Sequence, residues 1–109
     1  MIRDFHAHIY FNPDEVDEAR ALGASASAKF GVAEGHYHLR PVGPHPRGSC
    51  QLAFGSELFA RVIPWLIVNR RGLTVFAHAE SGDAMKDHTE HVLWLGPSET
   101  LNLAALSRP

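Results

Sequence analysis

Residues 2–11 alternate between apolar and polar side chains, most regularly from Phe5 onward. The apolar positions are Phe5, Ala7, Ile9 and Phe11, and the polar positions between them are His6, His8 and Tyr10. A period of two is typical of a strand with one buried face. We therefore predict a first strand over residues 2–11, with the two histidines and the tyrosine on the face away from the core.

A helix is predicted to begin directly after this strand. Asn12 suits the N-cap, Pro13 suits the first helical position, and Glu15 lies three residues after the cap. Small and apolar residues then recur every three or four positions, at Val16, Ala19, Leu22, Gly23, Ala26 and Phe30. This stripe predicts a helix that is buried on one side and runs to about Phe30.

Two further strands are predicted in the middle of the chain. Residues 32–40 form the first, and it is closed by residues 41–46, where three prolines exclude both a ladder and a helix. Residues 49–54 alternate again, which predicts a third strand with Cys50, Leu52 and Phe54 facing inward.

Ser56 is a candidate N-cap for a second helix with a wide apolar face, made of Leu58, Phe59, Val62, Ile63, Leu66 and Ile67. This helix should end near residues 70–72, and Pro64 inside it predicts a kink. Residues 73–78 predict a fourth strand, residues 81–83 a turn, and residues 91–95 a short edge strand before an irregular tail.

The order strand, helix, strand, strand, helix, strand predicts an α+β, ferredoxin-like βαββαβ sandwich. Its antiparallel sheet should carry two helices on one face and gain an extra C-terminal edge strand. The length of 109 residues fits one domain spanning residues 1–109. Because the second sheet face is left open and such a face is commonly closed by a ligand or a second subunit, we expect a homodimer.

Composition and charge exclude several classes of function. The formal net charge is −2 and the basic residues are scattered, so nothing favours nucleic acid or an anionic membrane as a partner. The most apolar stretch, residues 62–68, is far shorter than the roughly 20 residues of a bilayer span. The N-terminus lacks the apolar run of a signal peptide, so a cytoplasmic location is expected. Cys50 is the only cysteine, so any metal must be held by nitrogen and oxygen.

Histidine is the unusual component, with eight residues, four of which form two His-x-His pairs. His6 and His8 lie two apart on one strand, with Cα atoms roughly 6.5 Å apart, so their imidazoles can share one ion. In a ferredoxin-like sheet the fourth strand lies beside the first, and His78 can reach the same face. A carboxylate from Asp83 or Asp87 could complete a site for iron, zinc, copper or manganese.

The other histidines have simpler interpretations. For His36-Tyr37-His38 we favour an exposed strand face, since no other candidate converges on that strand. His45 is equally well explained as a loop residue, and His88 and His91 as surface residues.

Several motifs, taken together and in order, resemble the DOPA 4,5-dioxygenase family. They are residues 6–11 (HAHIYF), residues 43–46 (GPHP), His78 followed by residues 81–83 (SGD), Asp87-His88, and residues 94–96 (WLG). The resemblance spans nearly the whole chain. It implies a catalytic single domain that opens the aromatic ring of a DOPA-like catechol by extradiol cleavage, with Fe(II) or another divalent metal and O₂.

The resemblance also implies roles for individual residues. His8 and His78 become metal ligands, with His6 as the third ligand or a close neighbour, and His45, Asp83 and His88 match motif positions. Acid/base catalysis is assigned to His45 or His88, and Arg40 is either a partner for a substrate carboxylate or a surface residue. Ala79-Glu80 departs from the proline and polar residue usual in the family.

Two other functions compete with this one. The first is a cofactor-free monooxygenase or isomerase on the same dimeric ferredoxin-like scaffold. The second is a non-catalytic module that binds a metal or a small molecule.

Overall fold

The computed structural model describes residues 1–107, and within them the chain forms a five-stranded antiparallel sheet. The strands, in chain order, are β1 (Asp4–Phe11), β2 (Ala33–His38), β3 (Gly48–Phe54), β4 (Thr74–Glu80) and β5 (Val92–Leu95). Their order across the sheet is β2-β3-β1-β4-β5. The helices are α1 (Val16–Phe30), α2 (Ser56–Asn69) and α3 (Ala84–Thr89), with 3₁₀ turns at Pro13–Glu15 and Leu103–Leu106. The α+β ferredoxin-like prediction is confirmed, including the extra edge strand β5.

The hydrophobic core lies between the sheet and the two long helices. The apolar positions of β1 and β3 meet there, as their alternation predicts, together with the buried stripe of α1: Ala7, Ile9, Phe11, Cys50, Leu52, Phe54, Ala19, Leu22 and Ala26. The capping box predicted at Asn12 and Glu15 is present, and it begins the 3₁₀ turn that leads into α1. One face of β1 is therefore fixed toward the helices, and its histidines are fixed to the other.

Helix α2 differs from its prediction in two details. Its N-cap is Gly55 and not Ser56, which is the first residue of the helix. Ile67 was predicted on the apolar face but is 53% exposed. Successive side chains of a helix point about 100° apart. Because Leu66 points toward the sheet, Ile67 points toward solvent.

The sheet face predicted to be open is partly covered. The proline-rich loop, residues 41–46, packs over it, and the backbone N–H of Asn102 donates to the Pro44 carbonyl at 2.8 Å, which joins the C-terminal segment to that loop. Tyr10 and Phe76, which lie on this face, are fully buried. Helix α3 was not predicted: residues 81–83 were predicted as a turn, and they precede it. Residues 103–106 were predicted as part of an irregular tail and form a 3₁₀ turn. Both elements are too short to show a hydrophobic period.

No helix in residues 1–107 has the length and apolar character needed to cross a membrane.

Candidate metal centre

Three histidines from the two central strands converge on the face away from α1 and α2. His6 is the register partner of His78 on β4, and His8 follows two residues later on β1. Each of the three offers one nitrogen that lies within 4.8 Å of the others. His8 and His78 are buried, and His6 is partly exposed. The antiparallel pairing of β1 and β4 thus brings together the residues that the sequence predicted as ligands.

The spacing of two of these nitrogens suits one shared cation. The Nε2 atoms of His8 and His78 are 3.0 Å apart. Two nitrogens bound at right angles to one cation, each at about 2.1 Å, lie about 3 Å apart. The same distance permits a hydrogen bond in which one imidazole donates to the other.

In His6 and His78 the second ring nitrogen, Nδ1, already has a hydrogen-bond partner. His78 Nδ1 lies 3.1 Å from the Ala79 carbonyl oxygen, and His6 Nδ1 lies 3.1 Å from a carboxylate oxygen of Glu80. Both oxygens can only accept, so each Nδ1 carries the proton and donates. In the neutral imidazoles Nε2 is then left with a lone pair, which is the usual state of a histidine that ligates a metal.

Burial favours the neutral form of these rings. It lowers the pKa of His8 well below its ordinary value, and repulsion from His45 and His78 adds to the effect. The pKa of His78 is lowered to about 4, chiefly by burial, although the Ala79 carbonyl partly opposes the shift. At neutral pH both imidazoles are therefore uncharged, with one nitrogen free of its proton and able to bind a cation.

Two more of the predicted site histidines lie against this cluster. The ring centroid of His45, from the proline-rich loop, is 4.0 Å from that of His8. The ring of His88, on α3, is 4.2 Å from that of His78. His88 Nδ1 donates to the Ala84 carbonyl at 2.7 Å, so a neutral His88 also keeps its lone pair on Nε2.

Tyr10 was not predicted as a site residue. Its hydroxyl is 2.7 Å from His45 Nδ1, and burial raises the pKa of Tyr10, with Glu99 adding to the shift, so the hydroxyl keeps its proton and donates. Burial lowers the pKa of His45 to about 4, and the neutral His45 then carries its proton on Nε2. The sequence did contain a signal for Tyr10: it lies two residues after His8 on the same strand, so it shares a strand face with His6 and His8.

The two candidate carboxylates are used elsewhere. Asp83 is exposed and caps α3, where its side chain accepts from the Lys86 backbone N–H at 3.1 Å. Asp87 is buried, and it accepts from the backbone N–H and the hydroxyl of Ser81 and from His91. Within residues 1–107 the potential metal-binding group consists of histidines alone.

A cavity of about 230 Å³ adjoins His8. Its lining contains four imidazoles and no carboxylate, and it comprises His8, Gly35, His36, His38, Val42, His45, Ser49 and Gln51. His36 and His38 are exposed, as predicted, but they also form one wall of this cavity.

The donor set fits a divalent first-row metal. Three neutral imidazole nitrogens suit iron, zinc or copper, and a site with only three protein ligands keeps other positions for oxygen ligands. His6 has the supporting partner such ligands usually have, since Glu80 holds its outer nitrogen.

The chain is similar to known proteins over nearly its whole length. It is 32% identical to "DOPA 4,5-dioxygenase" of Amanita muscaria, covering 96% of this chain and 50% of that protein. It is 30% identical to an "Uncharacterized 21.2 kDa protein" of Botryotinia fuckeliana, covering 95% of this chain and 63% of that protein. A crystal structure from Nostoc punctiforme, described as a "putative dioxygenase", superposes with a TM-score of 0.94 at 43% identity, covering 96% of this chain and 91% of that one.

The chain thus spans between half and two thirds of the length of the curated relatives it matches. The sequence profile described as "Dopa 4,5-dioxygenase family" matches residues 5–105. The chain belongs to the Dopa 4,5-dioxygenase family.

Proposed function

We propose that this chain is an Fe(II)-dependent extradiol dioxygenase that opens the ring of a catechol with O₂. The observation that carries the proposal is the histidine cluster, in which His8 Nε2 and His78 Nε2 are 3.0 Å apart and His6 lies beside them. The names of the Amanita and Nostoc relatives, "DOPA 4,5-dioxygenase" and "putative dioxygenase", support the same class of reaction.

We assign the metal to His6, His8 and His78. When bound there, Fe(II) supplies the positive charge that acidifies a catechol hydroxyl and the electrons that activate O₂. The protein contributes neutral imidazoles, and Glu80 and the Ala79 carbonyl keep the rings of His6 and His78 oriented.

The two neighbouring histidines are suited to opposite proton roles. His88 has its Nδ1 hydrogen committed to Ala84, so its Nε2 lone pair can take a proton from a catechol hydroxyl. His45 has its Nδ1 occupied by the Tyr10 hydroxyl, so its Nε2–H can donate to an oxygen of the substrate. We assign Asp83 to the cap of α3 and give it no part in the reaction.

The test uses protein prepared without a nickel column and loaded anaerobically with Fe(II). On addition of O₂ and a panel of catechols, we expect the yellow absorbance of a ring-opened semialdehyde, and its loss in His8→Ala and His78→Ala. Tight metal binding with no turnover across the panel would instead favour a non-catalytic metal-binding module. Turnover that survives chelator treatment would favour a cofactor-free oxygenase.

We also propose that the chain forms a homodimer. An apolar cavity of about 540 Å³, lined by residues that include Met1, Ile2, Phe59 and Leu93, lies beside the edge strand β5. Met1, Ile2 and Leu93 are exposed. Light scattering at micromolar concentration should give the mass of two chains, and a monomer mass would rule the dimer out.

A further inference from the structure

Strand β2 contains an irregularity that determines which way its histidines face. Glu34 pairs with Leu52 and Tyr37 pairs with Cys50, with a register shift between them. Residues 35 and 36 on β2 therefore stand opposite the single residue Gln51 on β3. This is a β-bulge, in which one extra residue in a strand re-aims the side chains that follow it.

After the bulge, the side chains of β2 point to the opposite faces from those that regular alternation would give them. Glu34 and Tyr37 are three residues apart and would face opposite sides of a regular strand. Here both pair with core-facing residues, and the Tyr37 hydroxyl donates to the Glu34 carboxylate beside Gly23 of α1. His36 and His38 consequently face the other way, into the cavity that adjoins His8.

The cavity runs along one face of the sheet, over β1, β3 and β2, from the candidate metal centre to these two histidines. His8 on β1 pairs with Gln51 on β3, and β2 is the next strand. Two strand spacings separate His8 from His36 and His38 by roughly 10 Å. A catechol held at the cluster by its oxygens can extend a short side chain along this path.

The chemistry of the lining favours an anionic group at the far end. Imidazole, amide and hydroxyl groups from His36, His38, Gln51 and Ser49 can all donate hydrogen bonds. Glu34, the carboxylate nearest in sequence, is turned toward α1 and hydrogen-bonded to Tyr37. Val42 offers an apolar contact between the two ends of the cavity.

We propose that His36 and His38 are the specificity-determining residues of this site, and that they bind a carboxylate at the end of the substrate's side chain. This inference rests on the proposed function, because it assumes that a catechol ring occupies the metal end of the cavity. Arg40 is the alternative partner for such a carboxylate. It is exposed and does not line the cavity.

The experiment compares two ligands that differ only at the end of the side chain. Dihydrocaffeate carries a carboxylate there, and ethylcatechol ends in a methyl group. Their affinities are measured by anaerobic calorimetry on the Fe(II)-loaded protein, for the wild type, for the double variant His36→Gln/His38→Gln, and for the control Arg40→Gln. Steady-state kcat and KM with O₂ are measured for the same three proteins with both ligands.

We expect the wild type to prefer dihydrocaffeate, and the double variant to lose about tenfold in affinity for it, as removal of hydrogen bonds to a charged group predicts. The loss should appear in KM and not in kcat, and ethylcatechol binding should be unchanged. Arg40→Gln should behave as the wild type does.

Each other outcome overturns a separate claim. Equal binding of the two ligands to the wild type, or an unchanged double variant, refutes the role of His36 and His38 and leaves the dioxygenase proposal intact. A loss confined to Arg40→Gln transfers the carboxylate to that arginine. Failure of the wild type to bind either catechol refutes the proposed function, and the carboxylate subsite with it.

Discussion

At the scale of single residues, the site depends on where each imidazole keeps its one proton. His6, His78 and His88 each give the Nδ1 hydrogen to an oxygen acceptor, namely Glu80, Ala79 and Ala84. In its neutral form each of these rings then keeps its lone pair on Nε2, whereas His45 presents Nε2–H because Tyr10 donates to its Nδ1. The sequence predicted which histidines share a face, but a tautomer is set by partners that only the fold brings near.

The Glu80 carboxylate provides a direct test of this arrangement. Glu80→Ala removes the acceptor behind His6, so we expect metal affinity to fall about tenfold, the lower end of the range for lost partners of metal ligands. Glu80→Gln keeps an acceptor oxygen and should fall less. Competition with a chromophoric chelator measures both, with Glu18→Gln on the exposed side of α1 as the control. Unchanged affinity in Glu80→Ala would show that His6 is not a ligand.

At the scale of elements, the alternation of apolar and polar residues along β1 was the most informative feature for predicting the site. It placed the apolar residues of β1 in the core and His6 and His8 on the other face, and the βαββαβ order then placed β4 and His78 beside them. The bulge in β2 left no signal, because pairing partners and not local sequence decide where an extra residue is inserted. Helix α3 has six residues, fewer than two turns, which is too short for a stripe.

Helix α3 is anchored by the buried carboxylate of Asp87. Burial alone would raise the pKa of this group, but hydrogen bonds from Ser81 and His91 outweigh it and lower the pKa to about 2. A pKa that is depressed in the folded state stabilises the protein above the unfolded pKa of about 3.9, and the contribution is lost as pH falls toward 2.

Asp87→Asn should therefore destabilise the protein at pH 7 by about 2 kcal/mol, the typical value for removing hydrogen bonds to a charged group. The difference from the wild type should shrink between pH 4 and pH 2. Urea unfolding of both proteins at several pH values measures it. A difference independent of pH would mean that the charge of Asp87 does not contribute.

Gly23 is required where α1 crosses β2. A Cβ at this position would collide with the Tyr37 hydroxyl, which is held by Glu34. We expect Gly23→Ala to lose about 1–3 kcal/mol through overpacking, in spite of the better helix propensity of alanine. The double variant Gly23→Ala/Tyr37→Phe should recover part of the loss, and Ser25→Ala on the exposed side of α1 is the control. Denaturant midpoints measure these changes. A Gly23→Ala variant that is more stable than the wild type would contradict the steric argument.

At the scale of the whole molecule, the site combines rigid and irregular parts. The three candidate ligands lie on β1 and β4 at the centre of the sheet, whereas His45 and His88 come from the proline-rich loop and from α3. Arg47, the residue directly after that loop, binds the C-terminal segment through two hydrogen bonds to Glu99, at 3.0 Å and 2.7 Å. The sequence predicted the central part, since periodicity reveals regular elements. It did not predict the cover, whose position depends on contacts between residues distant in the chain.

A cation at the cluster would join two strands whose ligands are about 70 residues apart in the chain, so metal binding should be coupled to folding. A ligand that binds only the folded state at a hundredfold excess over its Kd stabilises that state by about 2.7 kcal/mol. For a chain of this size the gain corresponds to a rise in Tm of roughly 10–20 °C.

Anaerobic calorimetric scans with Fe(II), and again after chelation, should show this rise and its reversal. The double variant His8→Ala/His78→Ala should show neither, while His36→Gln, in the cavity but outside the cluster, should respond as the wild type does. Because this measurement involves no substrate, an Fe(II) response that persists in His8→Ala/His78→Ala would place the metal elsewhere, whatever reaction the protein catalyses.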